Sequence, residues 1–325
     1  MKRRDFIYKA GQSGLALSFL GLASCKNSEK KTASEETTSK IITPPWEFKI
    51  SLAQWSLHKA LFAGEMDNLD FAAKARSFGC EGVEYVNGFF KDKAKDMSYL
   101  KEMKSRANAE GQQNVLIMID GEGGLATPDE AKRKKAIENH YKWVEAAHFL
   151  GCHAIRVNLA GASDYDEGIK TAIESLGQLS EFAKGSGINV LVENHGGFSS
   201  NGTWMHKVFS QVKNDNCGTL PDFGNFCIKK GEKDANGVRP CFDDYDRYKG
   251  MKELLPFAKA VSAKSYEFDA EGNETTIDYL RVMEMVKEVG YSGFVGIEYE
   301  GHKEPEEKGI ELTRDLLIKV RKQLA

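Results

Sequence analysis

Ile188-Asn189-Val190-Leu191-Val192 is a short, β-branched run that opens directly into Glu193-Asn194-His195-Gly196-Gly197. Cys217-Gly218-Thr219-Leu220 opens the same way, through Pro221, into Asp222-Phe223-Gly224-Asn225-Phe226. An apolar run this short reads as a strand buried on both faces of a parallel sheet. Parallel α/β folds place their chemistry in the polar, glycine-rich turn just past such a strand. Two carboxylates at two such ends can converge on one cation or one substrate. The structural alternative is that they cap the next helices, which suits Asp222 better than Glu193 because Glu is a poor N-cap.

These residues need a scaffold, and the rest of the chain supplies one. From Trp46 onward, strand-like runs alternate with amphipathic segments. The strands read as Phe48–Leu57, Gly82–Asn87, Asn114–Asp120, His153–Leu159, Ile188–Glu193, Gly218–Asp222, Ala260–Phe268 and Gly293–Glu300. Helical patterns fall near 67–78, 94–110, 128–150, 166–184, 203–214, 244–257, 276–289 and 306–324. Gly79, Gly111, Gly151, Gly187 and Gly290 stand between a helical pattern and the next strand, where a left-handed C-cap is expected. Eight such units with no change of composition favour a single (β/α)8 barrel. An open doubly wound sheet would need a glycine-rich phosphate loop after the first strand, which instead ends Gln54-Trp55-Ser56-Leu57-His58.

Barrel strands alternate between interior and helix layer. Counting by two from the carboxylates puts Leu191, Glu193 and His195 inward, with Leu220 and Asp222, Ser262 and Lys264, and Gly296, Glu298 and Glu300. Gln54, His58, Glu84, Asp120, Arg156 and Asn158 are further candidates for the mouth. Glu193, Asp222 and Glu298 clustered in a buried mouth require protons or a cation. Three carboxylates suit a hard or borderline divalent ion such as Mg2+ or Mn2+.

Val192-Glu193-Asn194-His195-Gly196-Gly197, Pro221-Asp222-Phe223-Gly224-Asn225 and Gly296-Ile297-Glu298-Tyr299-Glu300 resemble, in order and spacing, the xylose isomerase-like TIM-barrel superfamily. The resemblance covers roughly residues 46–325. It implies a divalent metal held by Glu193, Asp222 and Glu298, and a His ligand in the seventh strand. There the sequence departs: the common Val-His-x-Lys-Asp is Val261-Ser262-Ala263-Lys264-Ser265, leaving Lys264 but placing Ser262 at the His position. The implied activity is isomerisation or epimerisation of a keto-sugar, with Glu193 and Glu298 exchanging the proton α to the carbonyl and Lys264 as a fixed cation. His195, Asn158, Gln54, Asn225 and Trp55 are the expected substrate contacts, and Trp204 and Phe223 further candidates for stacking on a sugar ring. The same proton abstraction could expel a leaving group, making a lyase or dehydratase on keto-glycosides. The missing His also leaves open a non-catalytic carbohydrate-binding lipoprotein.

Composition excludes other classes. With 45 Lys and Arg against 48 Asp and Glu, interleaved along the chain, there is no basic footprint for nucleic acid. The endonuclease branch of the superfamily needs a His-rich multi-zinc site and a basic face, and neither is legible. Residues 1–25 read as an export signal: Arg3-Arg4-Asp5-Phe6-Ile7 resembles a twin-arginine motif and Leu22-Ala23-Ser24-Cys25 a lipobox. The expected mature chain is lipid-anchored at Cys25 in the periplasm or cell envelope, with residues 26–45 as a flexible tether. Of the other cysteines, Cys80, Cys152 and Cys217 read as buried apolar residues, while Cys227 and Cys241 flank one long loop and could pair in an oxidising compartment.

Overall fold

The computed structural model describes residues 45–233 and 239–325, so the readings of the export signal, of Cys25 and of nearly all the tether lie outside the described residues. Eight strands run parallel in one sheet: β1 (Lys49–Ala53), β2 (Gly82–Val86), β3 (Gln113–Met118), β4 (Ala154–Val157), β5 (Asn189–Glu193), β6 (Cys217–Leu220), β9 (Val261–Ser265) and β10 (Phe294–Tyr299). Their order is β6-β5-β4-β3-β2-β1-β10-β9. The edge strands meet through isolated parallel bridges at Thr219–Ala258 and Asp222–Ser262, with Ser262 N–H donating to the Pro221 carbonyl at 3.0 Å. The sheet thus curls into a single (β/α)8 TIM barrel whose closing seam carries Asp222 and Ser262.

The two parities of the strands build two cores. Val83, Tyr85, Ile155, Val157, Val190, Val192, Val261, Val295 and Ile297 face outward into the layer beneath the helices. Ala53, Val86, Leu116, Met118, Ala154, Leu191, Leu220 and Ala260 fill the interior as a separate apolar cluster. Burying one such branched or long side chain is worth about 1.5–3 kcal/mol, so this alternation holds each strand in register.

Helix starts follow the side chains. Asp96, Asp129, Asp164, Asn201, Asp246 and Asp278 each accept a backbone N–H in the first turn of α3 (Met97–Ala109), α4 (Glu130–Leu150), α5 (Tyr165–Lys184), α6 (Gly202–Phe209), α7 (Arg247–Leu254) and α8 (Tyr279–Glu288). The remaining helices are α1 (His58–Ala63), α2 (Phe71–Ser77) and α9 (Glu306–Leu324). The five glycines expected before strands all take positive φ, for example 85° at Gly151.

Two segments differ from the sequence reading. The first strand stops at Ala53, and Gln54–Leu57 forms a 3-10 turn that runs into α1. The turn is pinned to the neighbouring strand β10: the Ser56 hydroxyl donates to the Ile297 carbonyl at 3.1 Å and accepts the Tyr299 N–H at 3.0 Å. The long loop after β6 contains an antiparallel hairpin, β7 (Cys227–Lys230) with β8 (Cys241–Asp244), closed by a Cys227–Cys241 disulfide.

Candidate active site

Glu193 ends β5, Asp222 follows β6, and Glu298 lies near the end of β10, so all three project from the C-terminal end of the barrel. One oxygen from each lies within 4.8 Å of the others, and none of the three residues is more than 4% exposed. The local fold around them is made by amide side chains. Asn194 donates to the Asp222 carbonyl at 2.9 Å and accepts the Asp222 N–H at 2.8 Å, locking the turn after β5 to the turn after β6. Asp222 uses its oxygens differently: Oδ1 accepts the Gly224 and Asn225 N–H groups, while Oδ2 faces the barrel interior. One oxygen thus fixes the turn after β6 while the other serves the site, and since the next element is β7 (Cys227–Lys230), Asp222 caps no helix.

Two buried cations oppose the three carboxylates. Lys264 Nζ lies 3.0 Å from Glu298 Oε1, 3.2 Å from Glu300 Oε2 and 3.8 Å from Asp222 Oδ2. Arg156 Nε lies 2.8 Å from Glu193 Oε2, and its Nη1 2.8 Å from Asp120 Oδ1. The Arg156 contact to Glu193 is an ion pair off the line a hydrogen bond needs, so Glu193 Oε2 keeps no hydrogen-bond donor of its own. Asn225 donates to the other Glu193 oxygen at 3.0 Å. The Ser262 hydroxyl stands 2.7 Å from Asp222 Oδ2 and 3.0 Å from Glu298 Oε2, its one proton shared between two acceptors.

Burial pushes the carboxyl of Glu193 up to about 7, against the pull of Arg156. It does the same to Asp222, also to about 7, against Lys264. Burial works against the charge of Lys264, but Glu298, Asp222 and Glu300 override it and hold the ammonium firmly protonated. Glu300 is closer to solvent; burial alone would raise it, yet Lys264 and the Trp55 indole, which donates to it at 2.5 Å, keep it below the usual carboxylate range.

The other expected contacts divide. The side chain of Asn158 joins the mouth, donating to Asp120 Oδ1 at 2.6 Å, and His195 is exposed at its lip. Trp55 stacks on His58 with ring centroids 4.8 Å apart and, with Phe62 and Phe89, forms an aromatic wall. Gln54 must be corrected. It is wholly buried, its amide donating to Asn68 Oδ1 at 2.7 Å and accepting the Val86 N–H at 2.9 Å, because the 3-10 turn carries it under the mouth. Trp204 and Phe223 are wholly buried in the outer core, where no sugar ring can reach. Glu84 belongs to a deeper layer, beside Ser51 and the bare face of Gly296. Tyr266 escaped the sequence reading although it continues the Ser262–Lys264 parity; its hydroxyl packs against Gly224, where a Cβ would lie 2.4 Å away.

The residues present fit a divalent ion in donor type. Three buried carboxylates converge, and Glu193 Oε2, ion-paired with Arg156, accepts no hydrogen bond from the described residues. At the fourth position the hydroxyl of Ser262 is a much weaker donor than an imidazole.

A TIM barrel with three acidic strand ends converging at its C-terminal mouth defines a class, and comparison with known proteins gives the family. A model of the xylose isomerase-like TIM barrel matches residues 72–320, and the chain belongs to that family. No curated protein matches the sequence significantly. Among solved structures, the chain is similar to 3-keto-D-glucoside 4-epimerase, YcjR, from E. coli (TM-score 0.62, 14% identity, 84% of this chain and 100% of that one). It is also similar to the IOLI protein with a bound zinc atom (TM-score 0.64, 15% identity, 86% and 99%). A third is a xylose isomerase-like TIM barrel protein from Mycobacterium smegmatis in complex with magnesium (TM-score 0.62, 15% identity, 86% and 98%).

Proposed function

We propose that this protein is a sugar isomerase or epimerase that removes and returns the proton α to a keto-sugar carbonyl. The observation that carries the proposal is the convergence of Glu193, Asp222 and Glu298 between two buried cations at the mouth of this barrel. The epimerase among the similar structures supports a carbohydrate substrate. Glu193 is the base: burial brings its carboxyl to about 7, matched to proton abstraction near neutral pH. Arg156 and Asn225 fix its orientation. Glu298 faces it across the site and returns the proton, with Lys264 beside it to oppose negative charge developing on the substrate oxygen. Asn158 and His195 take up substrate hydroxyls, and Trp55 supplies a stacking face.

Glu193, Asp222 and Glu298 are the residues that would hold a divalent ion, Mn2+ or Mg2+ by donor hardness. Such an ion supplies Lewis-acid polarisation of the carbonyl and its neighbouring hydroxyl. The test is incubation of metal-supplemented protein with keto-sugars and keto-glycosides in deuterated water. Deuterium at the carbon α to the carbonyl, lost in Glu193→Gln, is the expected result. Loss of the glycosidic substituent instead would make the protein a lyase, and no exchange on any keto-sugar would leave a binding protein.

Export with lipid anchoring at Cys25 completes the proposal, and the Cys227–Cys241 disulfide supports it, since structural disulfides belong to oxidising compartments. Cys25→Ser should move the protein from the membrane to the soluble fraction. Equal fractionation of variant and wild type would remove the anchor.

A further inference from the structure

Within the metal-assisted reading, on which this step rests, we infer that Lys264 is a resident counter-cation that a divalent ion must displace, and that Glu300, held by Trp55, is where its ammonium goes. The three would-be ligands are not vacant. Lys264 Nζ sits 3.0 Å from Glu298 Oε1 and 3.8 Å from Asp222 Oδ2, on two of the three. Ser262 spans the same pair through its hydroxyl, 2.7 Å from Asp222 and 3.0 Å from Glu298. A divalent ion needs oxygens at about 2.0–2.6 Å, so an ion on Asp222 and Glu298 would lie within a few ångströms of the ammonium. Lys264 is only 1% exposed, and two cations so close have little water between them to screen their repulsion.

The ammonium has somewhere to move. Glu300 Oε2 is already 3.2 Å from it on the solvent side, and the Glu300 side chain is 30% exposed while those of Asp222 and Glu298 are nearly sealed. The other Glu300 oxygen accepts the Trp55 indole N–H at 2.5 Å, so the carboxylate is fixed in place to receive the lysine. A Lys head on its four-carbon stem can pivot where a planar guanidinium could not. The aromatic wall, Glu300 and Lys264 thus form one unit in which the ion and the ammonium compete for Glu298. Metal affinity is set by this competition as well as by the ligand count.

The experiment is calorimetric titration of Mn2+ into wild type, Lys264→Met, Glu300→Gln, the double variant Lys264→Met/Glu300→Gln, and Ser262→His. Lys264→Met keeps the stem and removes the charge, and should bind Mn2+ at least tenfold more tightly than wild type. Glu300→Gln should weaken binding several-fold in the wild-type background and less than twofold in the Lys264→Met background, because its influence runs through the lysine. A merely structural or long-range electrostatic role for Glu300 would weaken binding equally in both. Tryptophan emission should also shift on Mn2+ addition to wild type, as Lys264 engages the carboxylate bonded to Trp55. Mn2+ affinity unchanged or weaker in Lys264→Met overturns the inference while leaving the metal site standing. Where Lys264→Met does not fold, Glu300→Gln binding as tightly as wild type overturns it. No binding by wild type, Lys264→Met or Ser262→His removes the metal reading as well.

Discussion

Glu84 and the three carboxylates above it occupy the same barrel interior, but the groups around them differ. The trio is surrounded by groups that favour charge: Arg156, Lys264, Ser262, Asn225 and the N–H groups after Asp222. Glu84 has the Ser51 hydroxyl on one oxygen and no partner among the described residues on the other. Burial therefore pushes its carboxyl up to about 8, and at neutral pH it is an acid rather than a carboxylate. Space for it comes from Gly296, where a Cβ would lie 2.5 Å from a Glu84 oxygen. Depth alone does not make a carboxylate reactive. Burial raises Glu193, Asp222 and Glu84 alike, and the cations beside Glu193 and Asp222 offset part of that rise, leaving them at about 7 against about 8 for Glu84.

The sharpest break in this contrast comes from removing a member of the trio. Glu298→Gln should abolish both Mn2+ binding and proton exchange, read by calorimetry and deuterium incorporation, whereas Glu84→Gln should leave both within a few-fold of wild type. Loss of exchange in Glu84→Gln would place that residue in the chemistry and dissolve the distinction.

The next effect is on stability. Arg156→Met strands Glu193 without its counter-charge, and removing one partner of a buried pair costs about 3–5 kcal/mol. Urea unfolding should show that loss, and Arg156→Met/Glu193→Gln should recover part of it. A single-variant cost below about 1 kcal/mol would mean the pair is already neutralised by a proton.

Glu84 should reveal itself through pH. Below pH 4.5 both folded and unfolded chains carry its proton, and its titration contributes nothing. Above that, the unfolded chain releases the proton while the folded chain keeps it up to about 8, so folding is progressively disfavoured across that window. Glu84→Gln should remove this loss, becoming more stable than wild type by an amount that grows with pH, of the order of a few kcal/mol at pH 8. A stability difference that does not change with pH would show that Glu84 is charged.

The smallest effect tests the space itself. Gly296→Ala brings a methyl against the Glu84 carboxyl and should cost about 1–3 kcal/mol, the usual range for overpacking. Glu84→Ala in the same chain should relieve it, and additive costs would show that the two residues do not share a cavity.

The lesson repeats in what was legible before the fold. Alternating apolar parity, Asp and Asn caps and pre-strand glycines are local signals that depend on a few neighbours, and they were enough for eight strand–helix units and a barrel. Glu193 and Asp222 are legible at the ends of two strand-like runs, and counting by two from the carboxylates places Lys264 and Glu298 on the inward parity. The partners of Glu193 and Asp222 do not follow from it. Gln54 and Asn158 carry the same amide at comparable strand ends, yet Gln54 is spent on Asn68 and Val86 beneath the mouth while Asn158 reaches the site. The Ser56 hydroxyl that diverts the first strand bonds to β10, some 240 residues away.

The sequence by itself determined which residues face inward, because that needs only the two-residue period of a strand and the cost of exposing apolar side chains. Tertiary structure alone decided which inward carboxylates have a cation beside them. That depends on which side chains of neighbouring strands meet: Arg156 of β4 reaches Glu193 of β5 and Lys264 of β9 reaches Glu298 of β10, pairings that no pattern within a single strand specifies.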